Sequence, residues 1–332
     1  MDGGVLDLGD LDVERGGTIR DARLAYQTHG TLNPAGDNAI VYPCSYGATH
    51  DDLTWLIGPD GVLDPARWFI VIPDMFSNGV SSSAAEDPDF PAVVTMADNV
   101  RAQHRLLTEH LGVRHLAAAY GFSMGAGQAY HWASMYPDLV DRAVVVCGSA
   151  RTSRHNRVML SGLLSVLEAA PEHLGGGRFS AEPVAAKRAY GTVWAGWGQS
   201  QRFFREELDR TALGHPDVES FIEADWVEGF AASKAANLYA QARTWQEADI
   251  SAGAFGGDLP AALAAIEARV LLMPGSTDLY FRVADNAAEL EHLRHGELAP
   301  IESAWGHQAG SPEQIPADLA FLKQKVRAFL EG

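Results

Sequence analysis

Short apolar runs that alternate with helical patterns constrain the fold of this chain more than any other feature of its sequence. Each run ends at Pro, Gly, Ser or Asp, which is typical of strands that are buried on both faces. The runs of this form are 39–42, 68–72, 115–120, 143–147 and 270–273. Between them apolar residues recur at helical spacing, as in 93–111. Strands alternating with helices predict an α/β protein whose central sheet is mostly parallel and flanked by helices.

The alternation stops between about residue 150 and residue 258. Helical stretches rich in Trp and Tyr occupy this segment, and Gly-containing turns join them. The alternation of strands and helices resumes after Gly256-Gly257. The segment is therefore inserted within one domain and is not a second domain that follows it. We predict a core domain formed by residues 1–149 and 259–332, with an inserted helical cap at 150–258. Ligands of such a sheet bind beyond the carboxyl ends of its strands.

The composition excludes several classes of protein. With 47% apolar and 20% charged residues, the chain has a globular and not a disordered composition. Its formal net charge of −18 repels phosphate backbones, so we expect no nucleic-acid partner. No apolar stretch approaches the roughly 18 residues that span a bilayer, and the N-terminus lacks a secretory pattern. Cys44 and Cys147 are too few for a disulfide framework or a zinc set, so we expect a cytoplasmic protein without membrane partner or metal.

A serine between two glycines follows one of the predicted strands. Residues 121–125 read Gly-Phe-Ser-Met-Gly, and small residues then open a helix. A serine on such a strand-to-helix turn has a strained backbone, and the residues two before and two after it must be small. The turn lifts the hydroxyl above the sheet and directs the helix N-terminus toward a developing oxyanion. We therefore predict that Ser123 is a nucleophile.

A nucleophilic serine needs a base, and the base needs a carboxylate that orients it. On this kind of fold the carboxylate and then the base follow the serine along the chain. Asp278 comes directly after the predicted strand 270–273, and His307 lies in a loop after the strand-like segment 297–303. Their order and placement predict a Ser123-His307-Asp278 triad.

Each member of this triad has an alternative. Asp278 also suits a cap of the helix that begins near residue 283, and Asp285 is close enough to compete for the acid role. The histidines that compete with His307 are His50, His104, His131 and His155. Cys44 is expected to be a buried thiol, because neither a helix N-terminus nor an acid-base pair surrounds it in the sequence.

The oxyanion hole of such an enzyme needs two backbone N–H donors. One comes from the residue after the nucleophile and one from the loop after the third strand. These donors are predicted to be Met124 and either Ser45 or Tyr46. Because they are backbone groups, side-chain substitution there tests them poorly.

Four segments together resemble the homoserine O-acetyltransferase-like branch of the α/β-hydrolase superfamily. They are the strand-to-helix turn 121–125, which we call the elbow, the loop 74–79 (Asp-Met-Phe-Ser-Asn-Gly), the segment 98–103 (Asp-Asn-Val-Arg-Ala-Gln) and the pair Gly306-His307. The resemblance runs from about Tyr26 to the C-terminus. It implies an α/β-hydrolase fold with an inserted helical cap that forms a tunnel, and a homodimer through that cap. It also implies an acyl-serine on Ser123.

The chain departs from the acetyltransferases of this branch where an amino-acid acceptor would bind. Those enzymes have an Asp directly after the catalytic His, and this chain has Gln308. Their Arg-Phe-Asp-containing cap segment is replaced by residues 233–237, Ser-Lys-Ala-Ala-Asn. The missing carboxylate argues against a zwitterionic acceptor, so the chain looks more like the short-chain esterases of the branch. We expect Gln308, Trp194 and Arg151 to line the substrate pocket, although Arg151 also suits a structural ion pair.

The sequence thus predicts a serine esterase. Ser123 attacks a small acyl ester of the acetyl type, an alcohol leaves, and water activated by His307 releases the acid, with no cofactor and a small-molecule ester as the partner. An O-acyltransferase, with acyl-CoA as donor and a hydroxyl acceptor, uses the same residues and differs in what reaches the acyl-enzyme. A third hypothesis is a non-catalytic protein of this fold that binds a small ligand, and the complete triad argues against it.

Overall fold

An eight-stranded sheet forms the centre of the fold. The computed structural model of the protein describes residues 2–332. The strands, of which β7 and β8 form a separate hairpin, are β1 (Asp2–Asp12), β2 (Thr18–His29), β3 (Ala39–Val41), β4 (Phe69–Pro73), β5 (Ala118–Phe122), β6 (Arg142–Val146), β7 (His173–Gly175), β8 (Arg178–Phe179), β9 (Arg269–Met273) and β10 (Gly296–Leu298). The spatial order is β1-β2-β4-β3-β5-β6-β9-β10. All neighbours from β4 onward are parallel, which confirms the predicted mostly parallel sheet.

Helices lie between and after these strands. They are α1 (Met96–Arg105), α2 (Met124–Met135), α3 (Arg154–Glu168), α4 (Val184–Gly198), α5 (Gln201–Arg205), α6 (Leu208–Thr211), α7 (Val218–Phe221), α8 (Glu228–Ala232), α9 (Ala235–Gln246), α10 (Leu259–Ala264), α11 (Val283–Leu290) and α12 (Pro316–Glu331). Helices α3 to α10 and the β7-β8 hairpin follow one another between β6 and β9. Short 3-10 helices cover His50–Leu56 and Gly306–Gly310, and π-helical turns cover Leu106–His110 and Ile222–Val227. None of the helices within residues 2–332 combines the length and apolar character of a membrane span.

Five of the parallel strands, β3, β4, β5, β6 and β9, are buried on both faces of the sheet, whereas the edge strand β10 is mostly exposed. Ile40 and Val144 belong to one apolar cluster, whereas their neighbours Val41 and Val145 belong to a second cluster on the opposite face. Side chains of α3, α4 and α9 join the first cluster. Because both faces are covered, the charged residues of β6 and β9, Arg142 and Arg269, stand at the first positions of these strands, and the residues after them form continuous apolar runs.

The structure differs from the sequence-based expectation in three places. β1 and β2 form a long antiparallel hairpin, which an apolar pattern cannot predict because β1 is mostly exposed and rich in Gly and Asp. The helix expected over 93–111 begins only after Thr95, which forms a capping box with Asp98. The strand expected over 297–303 ends at Leu298. The neighbouring segment after β9 contains Pro274, which has no N–H group with which to continue the hydrogen-bond ladder.

A buried glutamate of α11 binds the segment where the chain leaves the sheet for helices α3 to α10. The Glu289 carboxylate accepts hydrogen bonds from the Ala150 N–H at 2.9 Å, the Tyr130 hydroxyl at 3.0 Å and the Asn286 amide at 3.0 Å. Burial raises the pKa of the Glu289 carboxyl from 4.5 to about 7. Folding therefore favours the protonated form of this group.

Because of Glu289, we expect the free energy of unfolding to fall by about 2–3 kcal/mol from pH 5 to pH 8. The unfolded carboxyl ionises near pH 4.5 and the folded one near pH 7, so the stabilising proton is lost as the pH rises through this window. Glu289→Gln should remove this contribution. Urea unfolding of both proteins at pH 5 and pH 8 measures the difference, and an identical pH dependence for the two would contradict the raised pKa.

Candidate active site

Ser123 lies on the turn between β5 and α2. Its backbone has φ +56° and ψ −123°, a conformation that is strained for a residue with a Cβ atom. The Ser123 N–H donates a hydrogen bond to the carbonyl oxygen of Val146 at 3.0 Å, which ties the turn to β6. The local structure is therefore the strand, strained turn and helix that the sequence predicts for a nucleophile elbow.

Two glycines allow the close packing of this turn. A Cβ atom on Gly121 would lie 2.1 Å from the carbonyl oxygen of Gly125. A Cβ atom on Gly125 would lie 2.5 Å from the carbonyl oxygen of Pro43. Both distances are far shorter than van der Waals contact, so only glycine fits. The segment 42–49, which we call the β3 loop, thereby packs directly on the N-terminus of α2.

His307 connects Ser123 to Asp278. Its Nε2 atom lies 2.9 Å from Ser123 Oγ, and its Nδ1 atom lies 2.7 Å from Asp278 Oδ2. All three residues are less than a tenth exposed. The other Asp278 oxygen accepts hydrogen bonds from the N–H groups of Tyr280 at 2.7 Å and Phe281 at 3.3 Å, which fix the carboxylate. The structure thus brings the predicted triad residues within the distances that proton transfer requires.

The imidazole of His307 packs among aromatic rings, and the residue before it lies against the end of α4. Phe122 stacks on it at 4.7 Å between ring centroids, and Tyr280 meets it edge-on at 4.9 Å. The preceding residue, Gly306, has φ +60°, and a Cβ atom there would lie 2.7 Å from the Gly198 carbonyl oxygen and from the Ser200 nitrogen. The loop that carries His307 therefore lies directly on residues 198–200.

The alternative acid and bases lie elsewhere. Asp285 is exposed on α11. The competing histidines have partners of their own: His50 contacts the Asp74 carboxylate, His104 stacks on Tyr136, His131 bonds the Gly127 carbonyl and His155 packs on Trp197. Cys44 is buried, and its thiol lies 3.5 Å from an Asp74 oxygen. The geometry therefore favours Asp278 and His307 over these alternatives.

The β3 loop is held against the elbow by two side chains. The Ser45 hydroxyl donates to the Phe122 carbonyl at 2.7 Å, and the Gln128 amide donates to the Cys44 carbonyl at 2.9 Å. The backbone N–H groups of Ser45, Tyr46 and Met124 have no acceptor among residues 2–332. Free N–H groups beside the elbow are what an oxyanion hole requires.

Trp194 belongs to an aromatic cluster that extends from the β3 loop to His307. Its indole stacks on Tyr46 at 5.2 Å between ring centroids and meets Tyr280 edge-on at 5.6 Å. Tyr280 in turn packs on His307. This predicted pocket residue therefore contributes an apolar wall next to the triad.

Arg151 is engaged elsewhere. Its guanidinium donates to the Asp249 carboxylate at 2.8 Å, to the Gly257 carbonyl at 2.6 Å and to the Ser251 hydroxyl. These contacts join the two ends of the segment between β6 and β9. The arrangement favours the structural ion pair over binding of a substrate carboxylate, because the donors already have partners.

Gln308 lines a cavity of about 520 Å³ beside the loop that carries His307. The lining is largely polar and includes Gln199, His215 and Asp225. Ser123, Asp278 and His307 are not among the described residues that line it. The structure thus places Gln308 next to the base in sequence, but on the wall of a cavity that the triad does not line.

One group in the described part of the chain has the spacing of metal ligands. Atoms of Cys147, Asp278 and His307 lie within 4.8 Å of one another. The carboxylate and the imidazole are already hydrogen-bonded to each other. Burial and the nearby Asp278 charge raise the pKa of the Cys147 thiol well above its usual range, which favours the neutral form that binds metals poorly. The group fits an acid-base pair better than a metal centre.

Two residues of the site were not predicted. Tyr280 packs on His307, and the only indication of this in the sequence is its position two residues after Asp278. Gln241 of α9 bonds the β3 loop from a distant part of the chain, and no sequence pattern indicates it.

The family model described as alpha/beta hydrolase fold matches residues 60–308. The chain therefore belongs to the α/β-hydrolase family. This finding confirms the predicted fold class.

Named esterases are among its relatives. A probable esterase of Corynebacterium glutamicum is 39% identical over 90% of this chain and 88% of its own length. The ethyl acetate hydrolase of Pseudomonas veronii is 35% identical over 96% and 94%. The solved structure of the acetyl esterase MekB has a TM-score of 0.95 and 32% identity, and the match covers 100% of this chain and 97% of that chain.

A homoserine O-acetyltransferase of Symbiobacterium thermophilum is 30% identical over 97% of this chain and 92% of its own length. The esterases are more similar to this chain than the acetyltransferase is. These findings confirm the predicted branch of the superfamily and the prediction of a carboxylic ester hydrolase.

Proposed function

We propose that the protein hydrolyses small esters with an acetyl-type acyl group through an acyl-serine intermediate. The observation that carries the proposal is the hydrogen-bonded chain from Ser123 Oγ through His307 to Asp278. The acyl class is suggested by the names of two similar proteins, an ethyl acetate hydrolase and an acetyl esterase.

In the acylation step, Ser123 Oγ attacks the ester carbonyl carbon while His307 Nε2 takes the hydroxyl proton. The N–H groups of Met124 and of Ser45 or Tyr46 bind the oxyanion that forms. The bond to the alcohol oxygen then breaks, and His307 gives its proton to the departing alcohol. Asp278 keeps the imidazole in one orientation and stabilises its charged form.

In the deacylation step, a water molecule attacks the acyl-serine and gives a proton to His307. The second tetrahedral intermediate collapses, Ser123 regains the proton, and the carboxylic acid leaves. The aromatic wall formed by Tyr46, Trp194 and Tyr280 limits the space beside Ser123, which supports a short acyl chain.

The fate of the acyl group tests the proposal. The protein is incubated with ethyl acetate and, separately, with acetyl-CoA and homoserine, and acetate and O-acetylhomoserine are quantified. We expect rapid acetate release from the ester and no acylation of homoserine, because Gln308 stands where the acetyltransferases have an acid. Efficient acylation of homoserine with an acyl-CoA donor would instead establish a transferase.

The organisation of the chain is part of the proposal. We propose that residues 150–258 form a cap inserted into a core of residues 1–149 and 259–332, since the chain leaves the main sheet after β6 and returns to it at the neighbouring strand β9. We also propose a homodimer through this segment, on which Val158 is 70% exposed and Val184 is 62% exposed. A monomeric mass in solution would contradict the dimer.

The two free, buried cysteines suit a cytoplasmic location, which cell fractionation would test.

A further inference from the structure

Helix α9 turns a buried polar face toward the loops of the sheet. Asn237, Gln241 and Thr244 are four and three residues apart, so they share one side of the helix, and each is less than a tenth exposed. The Asn237 side-chain oxygen accepts from the Ala85 N–H at 3.0 Å, and the Thr244 hydroxyl donates to the Val94 carbonyl at 2.6 Å. This helix is therefore fixed to the sheet side of the molecule by hydrogen bonds as well as by apolar contacts.

Gln241 is the member of this face that reaches the active site. Its Oε1 atom accepts a hydrogen bond from the Gly47 N–H at 2.7 Å, and its Nε2 atom donates to the Ser77 carbonyl at 2.7 Å. Gly47 belongs to the β3 loop, and Ser77 lies in the loop after β4 with φ +64°, a strained value for serine. One buried amide thus ties the two loops together and uses both of its polar atoms to do so.

Tyr46 is held from the same side. Its hydroxyl donates to the Leu238 carbonyl of α9 at 2.7 Å and lies 2.5 Å from the Tyr190 hydroxyl of α4. Its own backbone N–H has no acceptor among the described residues. The side chain of Tyr46 is therefore fixed by α4 and α9, and the N–H of Gly47 is fixed by α9, while the N–H of Tyr46 itself is free.

We propose that Gln241 is a positioning residue for the oxyanion hole. By fixing Gly47 and Ser77, it sets the direction of the Tyr46 N–H toward the carbonyl oxygen of the ester. This inference rests on the proposed function. Its consequence is that α9 takes part in transition-state stabilisation and does more than cover the substrate.

Gln241→Leu tests the inference, because it keeps the side-chain size and removes both hydrogen bonds. We expect kcat for ethyl acetate to fall roughly 10- to 100-fold with little change in KM, since a misdirected donor weakens binding of the oxyanion more than binding of the ester. Gln241→Glu should lose less, because in its protonated form one oxygen still accepts from the Gly47 N–H and the hydroxyl donates to the Ser77 carbonyl. It also keeps the test open should the leucine variant fail to fold.

Gln246 provides a matched control on the same helix. It is also buried, and its side-chain amide bonds only Ser161 of α3 and Arg243 of α9. Gln246→Leu should lower the melting temperature as much as Gln241→Leu does but should leave kcat close to the wild-type value. Equal losses of kcat in the two variants would show a general structural effect and overturn the positioning role.

A second readout separates the oxyanion hole from the rest of the site. A trifluoromethyl ketone, which binds serine enzymes as a tetrahedral oxyanion, should lose affinity for the Gln241→Leu variant by the same factor as kcat, while inhibition by ethanol should be unchanged. Unchanged ketone affinity would overturn the inference. If the wild-type protein does not hydrolyse ethyl acetate, the proposed function fails, whereas wild-type activity with an unaffected Gln241→Leu variant contradicts this inference alone.

Discussion

Replacing Ser123 with alanine is expected to lower ester turnover by at least about 10³-fold while the fold remains intact. The hydroxyl is the only part of the side chain that is removed, and it is hydrogen-bonded to His307 Nε2 at 2.9 Å. Alanine keeps the Cβ atom, so the strained φ of +56° costs no more in the variant than in the parent protein. Measuring kcat/KM with a short-chain ester, together with the melting temperature, tests both parts of this prediction.

Ser149→Ala is a suitable control for the removal of a hydroxyl near the elbow. The Ser149 hydroxyl donates to the Arg151 carbonyl at 2.9 Å and has no contact with His307. This variant should keep nearly full activity. Turnover by Ser123→Ala within a few fold of the wild type would exclude Ser123 as the nucleophile.

Asp278→Asn is expected to lower kcat by about 10³- to 10⁴-fold. The carboxylate accepts from His307 Nδ1 at 2.7 Å and from two backbone N–H groups, so an asparagine that keeps the backbone bonds presents its NH2 group to the imidazole. The imidazole would then carry its proton on Nε2 and could not accept the proton of Ser123. Steady-state kinetics at saturating ester measure this loss.

Asp285→Asn makes the same chemical change seven residues away. Asp285 is exposed on α11, so its loss should change kcat by less than about twofold. A larger effect of Asp285→Asn than of Asp278→Asn would move the acid role to α11 and would contradict the geometry of the site.

The features that local chemistry determines were predictable from the sequence. An elbow of the form Gly-x-Ser-x-Gly needs small residues because its backbone segments touch, and Gly121 and Gly125 meet this need within five residues. Strands buried on both faces leave apolar runs, so the central sheet was predictable. Asp278 and His307 were predictable because this kind of fold places the acid and then the base after the serine, and each of the two residues follows a predicted strand.

The remaining features depend on contacts between distant parts of the chain. In the β1-β2 hairpin, backbone hydrogen bonds hold the mostly exposed β1 to the more buried β2, so β1 leaves no apolar pattern. Arg151 was expected near substrate, yet its partner Asp249 is 98 residues away in the chain. Gln241 bonds Gly47 across 194 residues, and nothing in the sequence around either residue indicates the pairing.

The contact between Gly306 and residues 198–200 limits how this protein can be engineered. Exchanging helical segments between related enzymes is a natural way to change substrate range, and it treats those segments as interchangeable parts. Here the Gly306 backbone lies so close to the end of α4 that even a methyl group would not fit between them. A chimaera in which this junction comes from two parents would displace His307, the proposed general base, along with the proposed substrate pocket. The helical segment that contains residues 198–200 and the loop that carries His307 should therefore be transferred together.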